Sequence, residues 1–184
     1  MAVKTFTTGE VLTASDTNTY LNNGGLVYVT STTVGSSVSS ITISNCFSSS
    51  FDDYRILVNG VDSSALNNLV KLSLNNSSSS TYYSVVFYTV WAGTVGAAGP
   101  GASTSTSFSV AFGGDVSDTN IVLDLRNPYS SKRTTFTSQS SNASLSAYGG
   151  GCDTSTNSST GFTLSVSPDT LTGGTITVYG YRKA

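Results

Sequence analysis

Histidine is missing from this sequence, and several kinds of reactive site are missing with it. Without an imidazole the chain has no Ser-His-Asp triad and no His-ligated zinc. Cysteine is scarce: Cys46 and Cys152 are the only two, and no CxxC motif is present to form a redox or zinc site. We expect two buried free thiols in preference to a single disulfide bridge. A nucleophilic thiol is disfavoured, because no His could activate it.

Charge is scarce as well. Charged residues make up 10% of the chain, against roughly 25% in an ordinary soluble domain, and the formal net charge is −2. The sequence pI of about 4.7 argues against nucleic-acid binding, because contacts to phosphate need a basic stripe. No apolar run approaches the ~20 residues of a membrane span, so we expect no membrane insertion. The opening MAVKTFTTGEV has no apolar segment, which predicts that there is no secretory signal.

Helix-forming residues are few, and this favours an all-β fold. Glu10, Gln139 and Met1 are the only residues of their types, while Ser and Thr supply about a third of the chain. From Leu26 onward, about eleven short runs rich in β-branched and aromatic residues are separated by turn signals. This pattern predicts an antiparallel β-sandwich of jelly-roll type over residues 26–184.

Local patterns add detail to these strands. Residues 40–44 alternate between apolar and polar, which predicts that their two isoleucines face inward. The longest apolar stretch, residues 82–91, predicts a central strand that is buried on both faces. Asn59-Gly60 is typical of a turn. Residues 92–104 and 149–160 are rich in Gly and small polar residues, which predicts two long loops.

Residues 1–25 differ from the rest and predict an N-terminal arm. Residues 2–12 are expected to be extended. Thr13 and Asp16 have the spacing of a capping box, in which the Thr hydroxyl caps the start of a helix. A short helix over about residues 14–22 is expected to follow, and an Asn-Asn-Gly-Gly run ends it.

Carboxylates are the remaining candidates for chemistry. Those beyond the arm lie mostly at the ends of predicted strands: Asp52, Asp53, Asp62, Asp115, Asp118, Asp124, Asp153 and Asp169. A glycosidase needs two carboxylates about 5–9 Å apart, whereas Asp at a turn caps the local backbone. The segment from Asp115 to Asn120 has the oxygen ligands of a loose Ca²⁺ loop, but it lacks the spacing and the closing Glu of an EF-hand, which favours a plain turn. We therefore predict no enzymatic activity, no metal and no cofactor.

Aromatic residues gather around the longest apolar stretch. Phe87 and Trp91 are expected in the core. Tyr82 and Tyr83 are consecutive in a strand and so face opposite ways, which leaves both core packing and exposure open to them. A platform that stacks on a host surface glycan would use Tyr82, Tyr83 or Trp91 beside a flexible loop. A carbohydrate-binding module is therefore one hypothesis for the function.

The two ends of the chain carry a family resemblance. Residues 5–21, TFTTGEVLTASDTNTYL, resemble an N-terminal segment of tailed-bacteriophage structural proteins, an aromatic residue followed by G-E-x-L-T-A-x-D-x-N-x-Y-L. The matching residues are Phe6, Gly9, Glu10, Leu12, Thr13, Ala14, Asp16, Asn18, Tyr20 and Leu21. Residues 172–182, TGGTITVYGYR, are similar to the final strand of phage fibre and surface-appendage domains.

The resemblance implies a virion component that is assembled in the cytoplasm of the bacterial host. Such proteins are tail fibres, minor tail proteins or head-decoration (cement) proteins. They commonly assemble in threes, so the resemblance implies a homotrimer with capsid or tail proteins as further partners. Because the arm cannot bury its own apolar residues in isolation, it either folds back on the sandwich or docks on a partner. We expect it to dock on the particle through Phe6, Val11, Leu12, Tyr20 and Leu21.

Several roles are open to such a protein, and they differ in its place on the virion and in whether it has an enzymatic activity. A compact appendage that presents residues 92–104 and 149–160 outward is favoured over a full-length fibre, because 184 residues leave no room for a shaft beyond the sandwich. A head-decoration protein that bridges capsomers fits the same length. A depolymerase that uses a pair of Asp residues is the weakest hypothesis, since the sequence gives no sign that two carboxylates face one bond.

Overall fold

The computed structural model describes residues 7–16, 25–77, 80–99, 105–114 and 119–183. In these ranges the chain forms one short helix and thirteen strands. They are α1 (Ala14–Asp16), β1 (Leu26–Thr33), β2 (Ser40–Ile43), β3 (Phe51–Ser63), β4 (Leu69–Leu74), β5 (Tyr82–Val90), β6 (Val95–Ala98), β7 (Phe108–Phe112), β8 (Thr119–Arg126), β9 (Thr134–Ser141), β10 (Leu145–Asp153), β11 (Phe162–Val166), β12 (Leu171–Thr172) and β13 (Thr175–Arg182).

The strands form two antiparallel sheets. The large sheet has the order β1-β13-β3-β8-β9-β10-β5-β6, with the short β12 paired to β3, and the small sheet has the order β2-β11-β4-β7. Eight of the strands build the two four-stranded layers of a jelly roll, β1-β13-β3-β8 in one and β2-β11-β4-β7 in the other. The antiparallel sandwich of jelly-roll type that the sequence predicts is confirmed.

Two inserted hairpins widen the large sheet. The β5–β6 hairpin lies between β4 and β7 in the chain, and the β9–β10 hairpin lies between β8 and β11. Together they add four strands at one side of the jelly-roll layer. Strand β7 of the small sheet packs against β5, β9 and β10, where Phe112 joins Val86, Leu145 and Ala147 in a second, smaller core. The large sheet is therefore covered on its inner face, while its outer face is open to solvent.

Alternation of apolar and polar residues builds the main core between the sheets. Every second residue of β4 is buried, and the two isoleucines of residues 40–44 both point towards the core. The fully buried ring of Phe108 lies with its centroid 4.6 Å from the ring centroids of both Tyr82 and Phe136. Each large apolar side chain buried in this way contributes about 1.5–3 kcal/mol to stability.

The prediction for residues 82–91 is wrong. Strand β5 lies one position from the side of the large sheet, between β10 and β6, and only one of its faces is buried. Phe87 and Trp91, which were expected in the core, are 57% and 62% exposed. The apolar run does not reveal this, because a local pattern carries no information about which layer covers a strand.

The Asn59-Gly60 turn is also absent. Strand β3 runs through this position, where Gly60 has a φ of +62° and the pairing with β8 shifts register between Val58 and Val61. This is a β-bulge, which needs the same left-handed conformation as a hairpin turn. The Asn-Gly dipeptide therefore correctly predicts a left-handed backbone conformation at Gly60, but it wrongly predicts that the chain reverses direction there.

Parts of both predicted loops are strands. Residues 95–98 form β6, and Gly149, Gly150 and Gly151 belong to β10. A Cβ at Gly151 would overlap the carbonyl oxygen of Tyr83, and a Cβ at Gly149 would overlap the Ser138 hydroxyl. These glycines allow close packing inside a sheet rather than a change of chain direction.

The described part of the N-terminal arm begins at Thr7. The Asp16 N–H donates to Thr13 Oγ1 (3.1 Å), and the Thr13 N–H donates to Asp16 Oδ2 (3.2 Å), so the predicted capping box is confirmed. A turn over residues 7–10, with Gly9 at a φ of +87°, interrupts the segment that was expected to be extended. The rest of the predicted helix, residues 17–22, lies outside the described residues.

Candidate functional site

The outer face of the large sheet brings side chains from five strands into line. Strand pairing places Phe87, Tyr148, Gln139, Val122 and Leu57 side by side, on β5, β10, β9, β8 and β3 in that order. All of these side chains lie on the solvent side, and Tyr148 is 60% exposed. The row crosses the strands and combines apolar surface with a single amide.

A second row runs parallel to the first and is built from smaller residues. Gly150 pairs with Thr137, Thr137 with Asp124, and Asp124 with Arg55. Because Gly150 has no side chain and Thr137 has a short one, the outer surface of the sheet is recessed between the longer side chains of Tyr148 and Arg55. An open depression of about 500 Å³ lies here, lined by Arg55, Val122, Asp124, Thr137, Ser138, Gln139, Tyr148 and Gly149.

An ion pair forms one end of this depression. Arg55 binds Asp124 through two parallel hydrogen bonds, from Nε to Oδ1 (2.8 Å) and from a terminal nitrogen to Oδ2 (2.7 Å). The Tyr181 hydroxyl donates a third hydrogen bond to Asp124 Oδ1 (2.8 Å), and the Arg55 guanidinium lies 5.6 Å from the centre of the Tyr181 ring. This geometry fixes all three side chains and cancels the two charges.

The hydrogen bonds of the ion pair shift the pKa values of all three side chains. Hydrogen bonds from Arg55 hold the pKa of Asp124 below its usual range, against the opposing effect of partial burial. The same contact raises the pKa of Arg55. Burial, followed by the hydrogen bond to Asp124, raises the pKa of Tyr181. At neutral pH Asp124 is ionised and accepts three hydrogen bonds, so it has no proton to donate.

A second depression of about 240 Å³ continues the first along the sheet. The two share Val122, Gln139 and Tyr148. The second one adds Asn59 and Asn120 with the hydroxyls of Ser141 and Ser146. We call the combined depression the sheet groove. Its lining includes amides, hydroxyls, one neutralised ion pair, the exposed aliphatic side chain of Val122 and the exposed ring of Tyr148.

The aromatic residues predicted for glycan contact are not brought together. Tyr82 is fully buried, its hydroxyl accepts a hydrogen bond from the Leu74 N–H (2.9 Å), and burial raises its pKa. This removes Tyr82 from the hypothesised contact set, because no face of its ring is free. Tyr83 and Trp91 are exposed at opposite ends of β5. Neither lines the sheet groove.

The residues that do line the groove were missed at the sequence level. Tyr148 could have been found, because Leu145 and Ala147 on the same strand point inward and Tyr148 is out of phase with them. Arg55 and Asp124 could not, since they are 69 positions apart and meet only through the pairing of β3 with β8.

The five arm residues predicted to dock are described only in part. Phe6, Tyr20 and Leu21 lie outside the described residues. Val11 is 79% exposed and Leu12 is 49% exposed, so neither side chain is folded back into the sandwich core. Their apolar surface faces solvent in the isolated chain.

Both cysteines are free thiols, as the sequence predicts. Cys46 is buried, and its burial raises the pKa of the thiol to about 12, so it is not reactive at neutral pH. Cys152 is only partly buried, in contrast to the prediction. It lies on the outer face of the large sheet, opposite Tyr83 on β5 and Thr135 on β9.

No family model, no curated protein and no solved structure matches the chain. Within the described ranges, no three His, Cys, Asp or Glu residues come together in a way that could hold a metal ion. The same part of the chain contains no helix with the length and apolar character that a membrane span requires. By its fold, the molecule is a jelly-roll sandwich with one widened sheet and an open groove on that sheet.

Proposed function

We propose that this chain is a non-enzymatic structural protein of a tailed-bacteriophage virion, a compact surface appendage that docks on the particle through its N-terminal arm. A tail-fibre or adhesin-like position and a head-decoration (cement) position both fit this role. The observation that carries the proposal is the exposure of Val11 and Leu12 within the segment that resembles phage structural proteins.

The energetics of the arm favour a partner. Burying a side chain such as Val or Leu contributes about 1.5–3 kcal/mol, and the arm of an isolated chain forgoes this for both residues. The capping box at Thr13 and Asp16 holds the backbone next to them in a defined turn. A short, locally ordered segment with exposed apolar side chains is suited to insertion into a groove on a capsid or tail protein.

Self-association into a homotrimer is part of the proposal. Exposed apolar side chains cluster near the β5–β6 hairpin: Phe87, Trp91 and Val95 are 57%, 62% and 72% exposed. Of the strands that the structure describes, β6 is also the last on its side of the sheet, and one row of its backbone groups is unpaired among them. A contact between copies would cover both features. Native mass spectrometry should then find three times the 19.0 kDa of one chain, and a monomer at micromolar concentration would contradict this part of the proposal.

The arm is tested by the double variant Val11→Ser/Leu12→Ser. Particles of the phage that carries this chain are purified after complementation and labelled with an antibody to the chain for electron microscopy. We expect label on wild-type particles and little or none with the double variant. The matched control is Leu66→Ser, which alters an exposed apolar residue on the sandwich and should leave the label unchanged.

The distribution of the label separates the two positions. Label over the whole head identifies a decoration protein, and label at the tail tip identifies an adhesin. Absence of the wild-type chain from purified particles, or full incorporation of the double variant, would overturn the proposal. Circular dichroism of each variant shows whether the sandwich is intact.

A second candidate function is a carbohydrate-binding module for a host surface glycan. The open sheet groove favours it, because its lining has the mixture of amides, hydroxyls and an exposed ring that binds small polar ligands. The two functions are compatible, since the arm and the groove use different residues.

A further inference from the structure

We infer that the sheet groove is a binding site for an uncharged oligosaccharide. The inference deepens the second candidate function and does not depend on docking through the arm. It rests on the dimensions of the groove, its charge and the chemistry of its lining.

The groove has the size of a ligand site and an elongated outline. Its larger part has a volume of about 500 Å³, within the roughly 300–1,000 Å³ typical of sites for small ligands. Tyr148 and Arg55 lie on β10 and β3, three strand positions apart in the sheet. At about 4.8 Å per strand this is a distance of about 14 Å, long enough for several linked sugar rings.

The charge of the groove argues against an ionic ligand. Among the described residues, Arg55 and Asp124 are the only charged ones in its lining, and they neutralise each other through two hydrogen bonds. A phosphate, a sulfated or carboxylated sugar, or a basic peptide would have to break this pair or bind without a counter-charge. A neutral ligand faces neither cost, and it can use the N–H groups of Arg55 that do not contact Asp124.

The remaining polar groups suit hydroxyls. The amides of Asn59 and Gln139 each carry a donor and an acceptor, as a sugar hydroxyl also does. Tyr148, which is 60% exposed, offers a ring face against which the C–H surface of a sugar can pack. A protein partner would be expected to use a larger apolar centre. The groove offers Val122 beside Tyr148, whereas Phe87 and Trp91 lie outside it.

The test uses the full-length protein on an array of neutral hexose and N-acetylhexosamine oligomers, with sialylated and sulfated glycans on the same array. Titration calorimetry then measures the affinity for the best neutral oligomer. We expect binding to neutral oligomers, weakened about tenfold or more by Tyr148→Ala and by Gln139→Ala. Tyr148→Phe keeps the ring and should retain most of the affinity.

Tyr28→Ala is the matched control. Tyr28 lies on β1 of the same sheet, is 59% exposed against 60% for Tyr148, and does not line the groove. It should bind with wild-type affinity. An array without neutral hits, a preference for acidic glycans, or an equal loss in Tyr28→Ala and Tyr148→Ala would overturn the inference.

The inference and the docking proposal can fail separately. Val11→Ser/Leu12→Ser should bind the neutral oligomer as the wild type does, while Tyr148→Ala should be incorporated into particles as the wild type is. The side chains of Val11, Leu12 and Tyr148 are all exposed, so the fold should be preserved in both variants. The Gln139→Ala variant provides an independent test if Tyr148→Ala does not fold.

Discussion

The two faces of the large sheet use the same kinds of residue for different purposes. Strand β9 alternates fully: its inward residues Thr134, Phe136, Ser138 and Ser140 are buried, and its outward residues are exposed. Inside, the Ser138 hydroxyl donates to the Val110 carbonyl oxygen (2.6 Å) and joins the two sheets. Outside, hydroxyls and amides of the same strand line the sheet groove. Position relative to the small sheet, and not residue type, decides whether a hydroxyl supports the fold or is available to a ligand.

The largest expected effect breaks the packing of the inner face. Gly151→Ala places a Cβ against the Tyr83 carbonyl oxygen, and we expect a loss of about 3 kcal/mol in the free energy of unfolding. Gly150→Ala is the matched control on the outer face, where the nearest atom to the new Cβ is 3.8 Å away. It should change stability by less than about 0.5 kcal/mol. Urea denaturation measures the free energy of unfolding of both variants. Similar losses in the two would show that the inner and outer faces tolerate an added Cβ equally well.

The second effect concerns a carboxylate on the inner face. Asp153 is buried and accepts hydrogen bonds from Thr81 Oγ1 (2.5 Å), the Ser155 N–H (2.9 Å) and Ser155 Oγ (2.7 Å). Burial raises the pKa of Asp153, but these hydrogen bonds outweigh it, so the pKa lies below its usual range. We expect Asp153→Asn to lose about 2 kcal/mol at neutral pH.

The direction of the pKa shift determines how the stabilisation by Asp153 changes with pH. Because the pKa of Asp153 is lower in the folded state, its ionised form stabilises the fold above the unfolded pKa of roughly 4. This stability is lost as the pH falls through the folded pKa. The difference between wild type and Asp153→Asn, measured by urea denaturation from pH 7 to pH 2, should therefore shrink below about pH 4. A constant difference over this range would mean that the carboxylate charge has no part in stability.

The smallest expected change in stability comes from removing a single buried serine hydroxyl of β9, and two such hydroxyls can be compared. Ser138→Ala removes the bond to the Val110 carbonyl and should cost about 1 kcal/mol. The Ser140 hydroxyl is buried without a hydrogen-bond partner, so Ser140→Ala should leave stability unchanged or raise it by up to about 1 kcal/mol. Thermal unfolding followed by circular dichroism compares the pair, and a larger loss in Ser140→Ala than in Ser138→Ala would reverse the assignment of roles.

Local sequence patterns predicted the parts of the fold that depend on local chemistry. The inward isoleucines of residues 40–44, the capping box at Thr13 and the free thiols all follow from neighbouring residues or from residue counts. The misplaced features depend on distant segments. Asn59-Gly60 lies in a bulge because β3 continues to pair beyond it, and the glycines of β10 are strand residues because β5 and β9 flank them closely.

Less of the groove than of the fold could be predicted from the sequence. Its residues come from β3, β8, β9 and β10, and their proximity follows from strand order, which no local pattern encodes. Tyr148 could be assigned to the outer face from its phase, but the neutral character of the groove could not. That property requires the contact between Arg55 and Asp124 and therefore the register of β3 against β8.

The pairing of β1 with β13 has a practical consequence for locating the molecule in a larger assembly. These two strands lie together at one side of the large sheet, and the Arg182 N–H donates to the Gly25 carbonyl oxygen (3.0 Å). A gold or fluorescent tag at the Arg182 end of β13 would therefore stand next to the start of β1 and could obstruct attachment there. A tag inserted at Gly93, in the turn between β5 and β6, would stand at the other side of the sheet. Five to six strand spacings, about 26 Å, separate the two positions, so a pair of tags would give the orientation of the molecule as well as its location.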